Sequence, residues 1–396
     1  MSFSIFPIKG GIEEIDGIYC DGLHCGLKSN NKLDLGFIYS DVLFDIQALF
    51  TKNKFKAAPL KHYNLYEKDF KTDFLLINSK NANALTSKKG LDDINTIFDK
   101  LKTNIKFTNP IMSSTGVIGE YLPIDKIVNK AKTFDLKSKN SDNLSKAIMT
   151  TDVYPKSCLY EVCLDDGSSF KIGAVAKGAG MIDPNLATML CFIVTDANIP
   201  KCDMKELLIK NNHTTFNAIS VDGDTSTNDS IFLLANKKSK AYNKDAFDQV
   251  LKLVMKDIAF LILGDGEGAT KKVAFEVRGA KSYDDALIAS KKLSNSLLVK
   301  TALFGQDPNF GRIASTIGAS GITCDEDKLT IYYNDIIVFQ KGEILFCKDI
   351  EKKAFEVLQN SEFKIICDIG LGEYKFTSYG CDLGHEYIKI NSSYRS

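Results

Sequence analysis

Short runs of apolar, β-branched and aromatic residues recur along the chain between polar turns, and this pattern predicts β-strands. The clearest runs in the first half are Leu35–Tyr39, Phe74–Asn78, Ser157–Leu164 and Ser169–Ala176. The turn sequence Asp165-Asp166-Gly167 separates the last two runs, so together they predict a β-hairpin.

Four other stretches carry apolar residues at helical spacing. They are Gly90–Lys102, Lys205–Asn211, Ala246–Leu263 and Asp284–Thr301. We expect Asp203 to cap the second helix, and Ser282 or Asp284 to cap the fourth. The third has the strongest apolar stripe, so it predicts a helix that packs against a core.

The C-terminal part, Lys328–Tyr387, returns to strand-like runs, and an apolar strand is expected to follow from Tyr387 towards the chain end. Strands and helices occur in mixed order instead of a regular βαβ series. The pattern therefore predicts α+β layers, with a smaller α+β unit after about residue 285, and not a doubly wound parallel sheet.

The amino-acid composition argues against several classes of partner and ligand. Lysine and arginine number 50, as do aspartate and glutamate, so the net charge gives no indication of a nucleic-acid or anionic-membrane partner. The ten cysteines form no CxxC pair, the four histidines show no metal-ligand spacing, and no apolar run of about 18 residues occurs. We expect a cytoplasmic protein with reduced cysteines, no metal and small-molecule ligands.

Clusters of Gly, Asn, Asp, Ser and Thr beside apolar runs are candidate sites. In Ile111–Glu120, a Ser-Ser-Thr-Gly turn could present backbone N–H groups to an anion, or could be an ordinary turn. In Gly173–Leu190, Lys177 ends an apolar strand before two glycines, and Thr188 opens a second apolar run. From residue chemistry alone, Thr188 is better explained as a capping or strand-forming residue than as a functional one.

The other clusters do not match the sequence patterns of two common kinds of ligand site, nucleotide-binding loops and EF-hands. Neither Lys177-Gly-Ala-Gly nor Gly264–Lys271 matches a nucleotide-binding glycine motif. Asp222–Asp229 lacks the glycine and glutamate that an EF-hand loop requires, so a hydrogen-bonded structural turn is the better interpretation. Glu267, between two glycines, is expected to be accessible.

Taken in order and spacing, these clusters resemble the ornithine acetyltransferase family, also called the bifunctional glutamate N-acetyltransferase family of arginine biosynthesis. The resemblance extends over nearly the whole chain. Its segments are Phe50–Lys54, Ala57–Pro59, Asn78–Ala84, Ser113–Gly119, Thr150–Asp152, Lys177–Leu190, Asp222–Asp229, Asp265–Lys271, Asp307–Arg312 and Lys389–Asn391. Departures lie beside the motifs: Lys80 and Ser87 replace usual glycines, and Val153 replaces a common threonine.

The resemblance implies a layered core of the N-terminal-nucleophile-like type found in aminopeptidases and ornithine acetyltransferases, with a smaller C-terminal α+β domain. It implies self-cleavage between Ala187 and Thr188, which gives an α chain (1–187) and a β chain. The β chain would contribute 188–284 to the core and 285–396 as the C-terminal domain, whose tail would return to the active site. An α2β2 assembly is expected.

By the same resemblance, Thr188 is the nucleophile, and Thr115 with Gly116 forms the oxyanion hole. The expected substrate contacts are Thr150 or Thr151, Lys177, Thr188, Glu267, Asn391 and Ser396. The sequence does not choose between the two neighbouring threonines.

The implied reaction moves the acetyl group of N2-acetyl-L-ornithine to L-glutamate through an acetyl-threonine, without a cofactor. A threonine hydroxyl needs a base, and the α-amine freed at Thr188 could supply one. Whether acetyl-CoA is also a donor stays open. Alternatives are a related self-processing aminopeptidase or amidase, which would pass the acyl group to water, and a non-enzymatic amino-acid-binding protein.

Overall fold

Residues 2–183 and 189–392 are described by a computed structural model. The predicted site residues Ala187, Thr188 and Ser396 lie outside this description, and so does the predicted chain boundary between 187 and 188. The described residues divide into two compact units. The first contains 2–178, 189–217 and 225–262, and the second contains 179–183, 218–224 and 263–392.

The first unit is built on a mixed sheet that comprises nine strands within the described ranges. The strands are β1 (Phe3–Pro7), β2 (Ile18–Leu23), β3 (Leu35–Phe50), β4 (Lys71–Asn78), β5 (Ile111–Ser114), β6 (Lys156–Leu164), β7 (Ser169–Lys177), β8 (Leu190–Thr195) and β9 (Ser230–Ala235). Their order is β1-β6-β7-β8-β9-β3-β4-β5, and β2 pairs with β3. The predicted hairpin is confirmed, because β6 and β7 pair antiparallel.

The centre of this sheet is a parallel pair, β8 and β9, in which every residue is buried. Strands covered on both faces need continuous apolar sequence, and Leu190–Thr195 and Ser230–Ala235 are largely apolar. The rings of Phe192 and Phe232 stack across the pair with centroids 5.5 Å apart. The pairing therefore fixes the register of the middle of the sheet.

Helices cover both faces of the sheet. Those of the first unit are α1 (Ala58–Tyr63), α2 (Ser87–Leu101), α3 (Ile124–Ala131), α4 (Ser141–Ile148), α5 (Lys201–Asn212) and α6 (Lys244–Gly264). Alternate residues of β4 show the two layers: Phe74 and Leu76 pack with α2 and α3, whereas Leu75 and Ile77 pack in the cluster that contains Leu144 of α4. The predicted helices α2 and α6 are confirmed.

The second unit has its own sheet, of six strands within the described ranges, with the order β13-β12-β11-β14-β10-β15. The strands are β10 (Lys272–Ala280), β11 (Thr330–Tyr333), β12 (Ile336–Gln340), β13 (Glu343–Ile344), β14 (Glu362–Asp368) and β15 (Tyr374–Cys381). The helices are α7 (Tyr283–Asn295), α8 (Leu297–Phe304), α9 (Phe310–Gly318), α10 (Lys348–Leu358) and α11 (His385–Asn391). Both units mix sheets and helices, which confirms the predicted α+β class.

Three local predictions are wrong. The helix expected over Asp284–Thr301 is two helices, because Ser296 is extended (ψ 113°) and its hydroxyl accepts the Val299 N–H at the start of α8. The residue before α5 is Pro200, not Asp203, because Asp203 lies inside the first turn, where its carboxylate accepts hydrogen bonds from Tyr242 and Lys244. The apolar strand expected near Tyr387 is the helix α11. None of the described helices combines the length and apolar composition needed to cross a membrane.

Replacing Phe192 by alanine should lower the free energy of unfolding of the first unit by about 3–5 kcal/mol, the range typical of a buried phenylalanine. The cost arises because the variant loses the stacked contact with Phe232 and leaves a cavity in the apolar core on that face of the sheet. Urea denaturation measures it, with Phe55→Ala as the control, because Phe55 is 67% exposed. A cost below about 1 kcal/mol would contradict the assigned role of the stacked pair.

Candidate active site

The ends of four neighbouring strands of the first unit lie side by side in its sheet. Lys177, the last residue of β7, lies opposite Leu190 at the start of β8. Leu190 in turn lies opposite Ser230, the first residue of β9, which also pairs with Phe50 at the end of β3. The register therefore places Lys177 beside the segment that follows Thr188, and that segment beside Asp229, the last residue of the Asp222–Asp229 motif.

Lys177 is buried in an ion-pair network around one carboxylate. Asp152 lies between two lysines, with Lys156 Nζ 2.7 Å from its Oδ1 and Lys177 Nζ 4.0 Å from its Oδ2. All three side chains are almost completely buried. Burial alone would raise the pKa of Asp152, but the charges of Lys177 and Lys156 outweigh it and hold that pKa at about 2.

Asp152 also organises the backbone around it. Its Oδ1 accepts the N–H of Gly178 at 2.7 Å, and its Oδ2 accepts the N–H of Thr150 at 2.9 Å. The carboxylate thus joins the Thr-Thr-Asp motif to the start of the Lys-Gly-Ala-Gly motif. Thr150 and Thr151 are both half-buried, so the choice between them as substrate contacts stays open.

Thr115 and Gly116 follow β5 directly. Thr115 is buried, and its N–H donates to the carbonyl of Asn78 at 3.0 Å. Gly116 has φ 132°, and a Cβ there would lie 2.1 Å from the carbonyl carbon of Lys80. Only glycine fits this close approach, so the backbone at residue 116 is held in a defined orientation against Lys80.

Lys80 and Ser87 occupy left-handed backbone positions, with φ 72° and 51°. Such positions favour glycine, and a side chain costs about 1–2 kcal/mol there. This conformation explains why the resembling family usually has glycine at both. Val153, the third departure, is 82% exposed.

The Asp222–Asp229 motif forms hydrogen-bonded turns, as the sequence predicts. In the first unit, the Asn228 amide donates to the carbonyls of Ala82 and Ser114 at 2.6 and 2.8 Å. In the second unit, the Asp222 carboxylate accepts the N–H groups of Met181 and Ile182 at 2.6 and 2.8 Å. Among the described residues, no group of three or more His, Cys, Asp or Glu side chains is placed to hold a metal ion.

The second unit brings Glu267 and Asn391 together. Asn391 Nδ2 donates to Glu267 Oε2 at 2.6 Å, and the Glu267 N–H donates to the carbonyl of Ala179 at 3.0 Å. Glu267 is only 8% exposed, which corrects the expectation of an accessible carboxylate. A Cβ at residue 180 would lie only 2.4–2.5 Å from the carboxylate atoms of Glu267. The absence of a side chain at Gly180 therefore leaves room for this carboxylate.

Sequence reasoning missed two members of these networks. Lys156 was not identified because it matches no motif, although it is a charged residue at the start of a strand-like run. Asp229 was placed in a structural turn, and its local sequence gives no sign that it is completely buried. Both depend on contacts distant in sequence, which no local pattern encodes.

Comparison with known proteins gives consistent matches. The model of the ArgJ family matches residues 19–396. The arginine biosynthesis bifunctional protein ArgJ of Wolinella succinogenes is 52% identical over 395 residues, with 100% of both chains covered. Its counterpart from Caldanaerobacter subterraneus subsp. tengcongensis is 40% identical, with 98% and 99% covered. The crystal structure of ArgJ from Bacillus halodurans is 34% identical, covers 51% of this chain and 98% of that chain, and has a TM-score of 0.48.

Replacing Lys156 by methionine should lower the free energy of unfolding by about 3–5 kcal/mol, because it removes one partner of a buried ion pair. The double variant Asp152→Asn with K156M should lose much less than the sum of the single variants. Urea denaturation of all three at pH 7 checks this. Additive losses would show that the pair is not energetically coupled.

Proposed function

The chain belongs to the ArgJ family, and from this we infer that it is a self-cleaving enzyme that moves the acetyl group of N2-acetyl-L-ornithine to L-glutamate. It is an acetyl-transferring enzyme of arginine biosynthesis. The observation that carries the proposal is the match over residues 19–396, which includes the Ala187-Thr188-Met-Leu block that ends at the first residue of β8.

Maturation would begin with attack of the Thr188 hydroxyl on the carbonyl of Ala187. Cleavage leaves Thr188 as a chain terminus with a free α-amine, whose reference pKa is near 8. The neighbouring positive charge of Lys177 would lower that pKa and keep more of the amine neutral. The amine can then act as the base for its own hydroxyl, which resolves the weak nucleophilicity of threonine.

Transfer would then follow in two steps. The Thr188 hydroxyl attacks the acetyl carbonyl of N-acetylornithine, so that an acetyl-threonine forms and ornithine leaves. The amine of glutamate then attacks the same carbonyl carbon and regenerates the hydroxyl. Both steps pass through a tetrahedral oxyanion, which the Gly116 N–H and the Thr115 hydroxyl would stabilise.

The buried charges suggest how the substrates are held. Lys177, one of two lysines that share a single carboxylate, suits the α-carboxylate common to ornithine and glutamate. Glu267, fixed by Asn391, suits the side-chain ammonium of the ornithine part. Thr150 or Thr151 and the C-terminal Ser396 are proposed as further contacts through the family resemblance.

The remaining proposals concern donor, assembly and location. Because the curated relatives are named bifunctional, we propose acetyl-CoA as a second donor. We also propose an α2β2 assembly of the two cleaved chains in the cytoplasm. The rival enzyme class, an aminopeptidase or amidase, would release acetate from acetylornithine in the absence of glutamate, so the two activities can be assayed separately.

Thr188→Ala should give one uncut chain without transferase activity, because the variant lacks the hydroxyl for both reactions. Mass spectrometry of the wild-type protein should find two chains that meet between Ala187 and Thr188. Thr195→Ala, in the same strand pair but at its far end, serves as the control and should be cut. A cut T188A protein, or an uncut wild-type enzyme with full activity, would refute the mechanism.

Glu267→Gln should raise the KM for acetylornithine about tenfold or more, with little change in the KM for glutamate. The amide keeps a hydrogen-bond acceptor for Asn391 but loses the charge, and a hydrogen bond to a charged group contributes about 1.5–3 kcal/mol. Steady-state kinetics with each substrate varied tests this, and Glu373→Gln, an exposed site in the same unit, is the control. Equal effects on both KM values would rule out the pairing.

A further inference from the structure

The loop between β2 and β3, residues 24–34, lies outside every segment of the family resemblance, and the proposed transfer reaction does not use it. Its conformation depends on Asp34, which is completely buried. The Asp34 carboxylate accepts the backbone N–H groups of Cys25, Leu27 and Lys28 at 2.6, 2.7 and 2.8 Å. These hydrogen bonds to one carboxylate fix the backbone of the loop at Lys28.

The Lys28 side chain extends from this loop to the C-terminal end of α4. Its Nζ donates to the carbonyl of Leu33 at 2.7 Å, and to those of Ala147 and Lys146 at 3.2 and 3.5 Å. The last four carbonyls of an α-helix have no partner within the helix and carry partial negative charge, which a cation stabilises. An ammonium group has three N–H donors, one for each of these carbonyls, whereas a neutral amine has only two.

The Ala147 carbonyl also accepts a second donor. Ser79 Oγ donates to it at 2.6 Å. Ser79 directly follows Asn78, whose own carbonyl accepts the N–H of Thr115 at 3.0 Å. One carbonyl near the end of α4 therefore joins the loop of Lys28 to the strand end that contacts Thr115.

The chain passes from α4 almost directly into the Thr-Thr-Asp motif. Met149, the residue after the helix, is extended (ψ 152°), and Thr150 follows it. The Thr150 N–H donates to Asp152, which also lies 4.0 Å from Lys177 Nζ. Because only one residue separates the helix from Thr150, the position of the C-terminal end of α4 determines where the motif begins.

We propose that Lys28 is a positioning residue for acetyl transfer: its ammonium group holds the C-terminal end of α4 and so places the Thr-Thr-Asp motif for the substrate. The inference rests on the proposed function, which assigns substrate contacts to Thr150 or Thr151 and to Lys177. Lys28 itself binds backbone carbonyls and has no assigned contact with the substrate. Its positive charge is essential, since it supplies both the third donor and the attraction to the helix end.

The protonation of Lys28 gives this role a pH dependence. Burial lowers the pKa of Lys28 to about 8, although the charges of Asp34 and Asp152 act in the opposite direction, and the charges of Lys177 and Lys32 lower it further. The ammonium group is therefore present below about pH 8 and is lost as the pH rises, whereas an ordinary lysine keeps its charge to about pH 10. The other titratable groups of the loop and of the elements in contact with it are Asp21, His24, Cys25, Lys126, Asp142 and Lys146.

Lys28→Met removes the charge and nearly keeps the length of the side chain. At pH 7, kcat/KM should be about tenfold lower in K28M for both acetylornithine and glutamate, because small displacements of positioning groups slow a reaction by this order. The assay uses cleaved protein, with its amount determined on denaturing gels. Lys32→Met is the matched control, because it removes the same charge from an exposed position in the same loop and should keep activity close to that of the wild type.

The pH profile separates positioning from a general loss of folded enzyme. The ratio of kcat/KM in the wild type to that in K28M should fall from about tenfold at pH 7 to below about twofold at pH 9.5, where the wild-type ammonium group is largely deprotonated. A ratio that stays constant over this range would overturn the proposal, and so would equal losses in K28M and K32M.

A second variant covers the case in which K28M does not fold or is not cleaved. Lys28→Arg keeps a charge at any pH in this range, so the ratio of kcat/KM in K28R to that in the wild type should rise about fivefold or more between pH 7 and 9.5. An unchanged ratio would overturn the proposal. Failure of the proposed function looks different, because the wild-type enzyme would then transfer no acetyl group from acetylornithine to glutamate at any pH.

Discussion

The parallel pairing of β8 with β9 is the constraint from which the first unit's site follows. The pairing aligns Leu190 with Ser230, and so it places Met189 beside Asp229. The antiparallel partner β7 adds Lys177 opposite Leu190. A shift of the pairing by one residue would turn the side chains of a strand to the opposite face of the sheet. The burial of the apolar side chains therefore also fixes the positions of the polar groups at these strand ends.

Two buried aspartates near these strand ends have pKa values shifted in opposite directions, and the difference lies in their neighbours. Asp152 lies between Lys156 and Lys177, with two backbone N–H donors, and stays charged. At Asp229, burial outweighs the Met189 N–H, the charge of Lys177 and the hydroxyls of Ser226 and Thr51, and raises the pKa. The same residue type thus has its pKa lowered in one place and raised in the other, according to its neighbours.

The sequence predicted best those elements that depend on the local spacing of apolar residues. The helices α2 and α6 and the hairpin of β6 with β7 follow from apolar spacing and one turn motif. It failed where one residue redirects the chain, as at Ser296, or where an apolar run suits either structure, as in α11. The candidate site residues came from motif order, whereas their partners Lys156 and Asp229 required the three-dimensional pairing of distant strands.

The contact between Gly180 and Glu267 has a thermodynamic consequence. Freezing a glutamate side chain costs up to about 2 kcal/mol of rotamer entropy. Here the backbone at Gly180 and the amide of Asn391 already confine the carboxylate in the folded protein. A cation that binds the Glu267 carboxylate need not order this side chain. The entropy cost of ordering is therefore part of the free energy of folding and is not subtracted from the affinity for the cation.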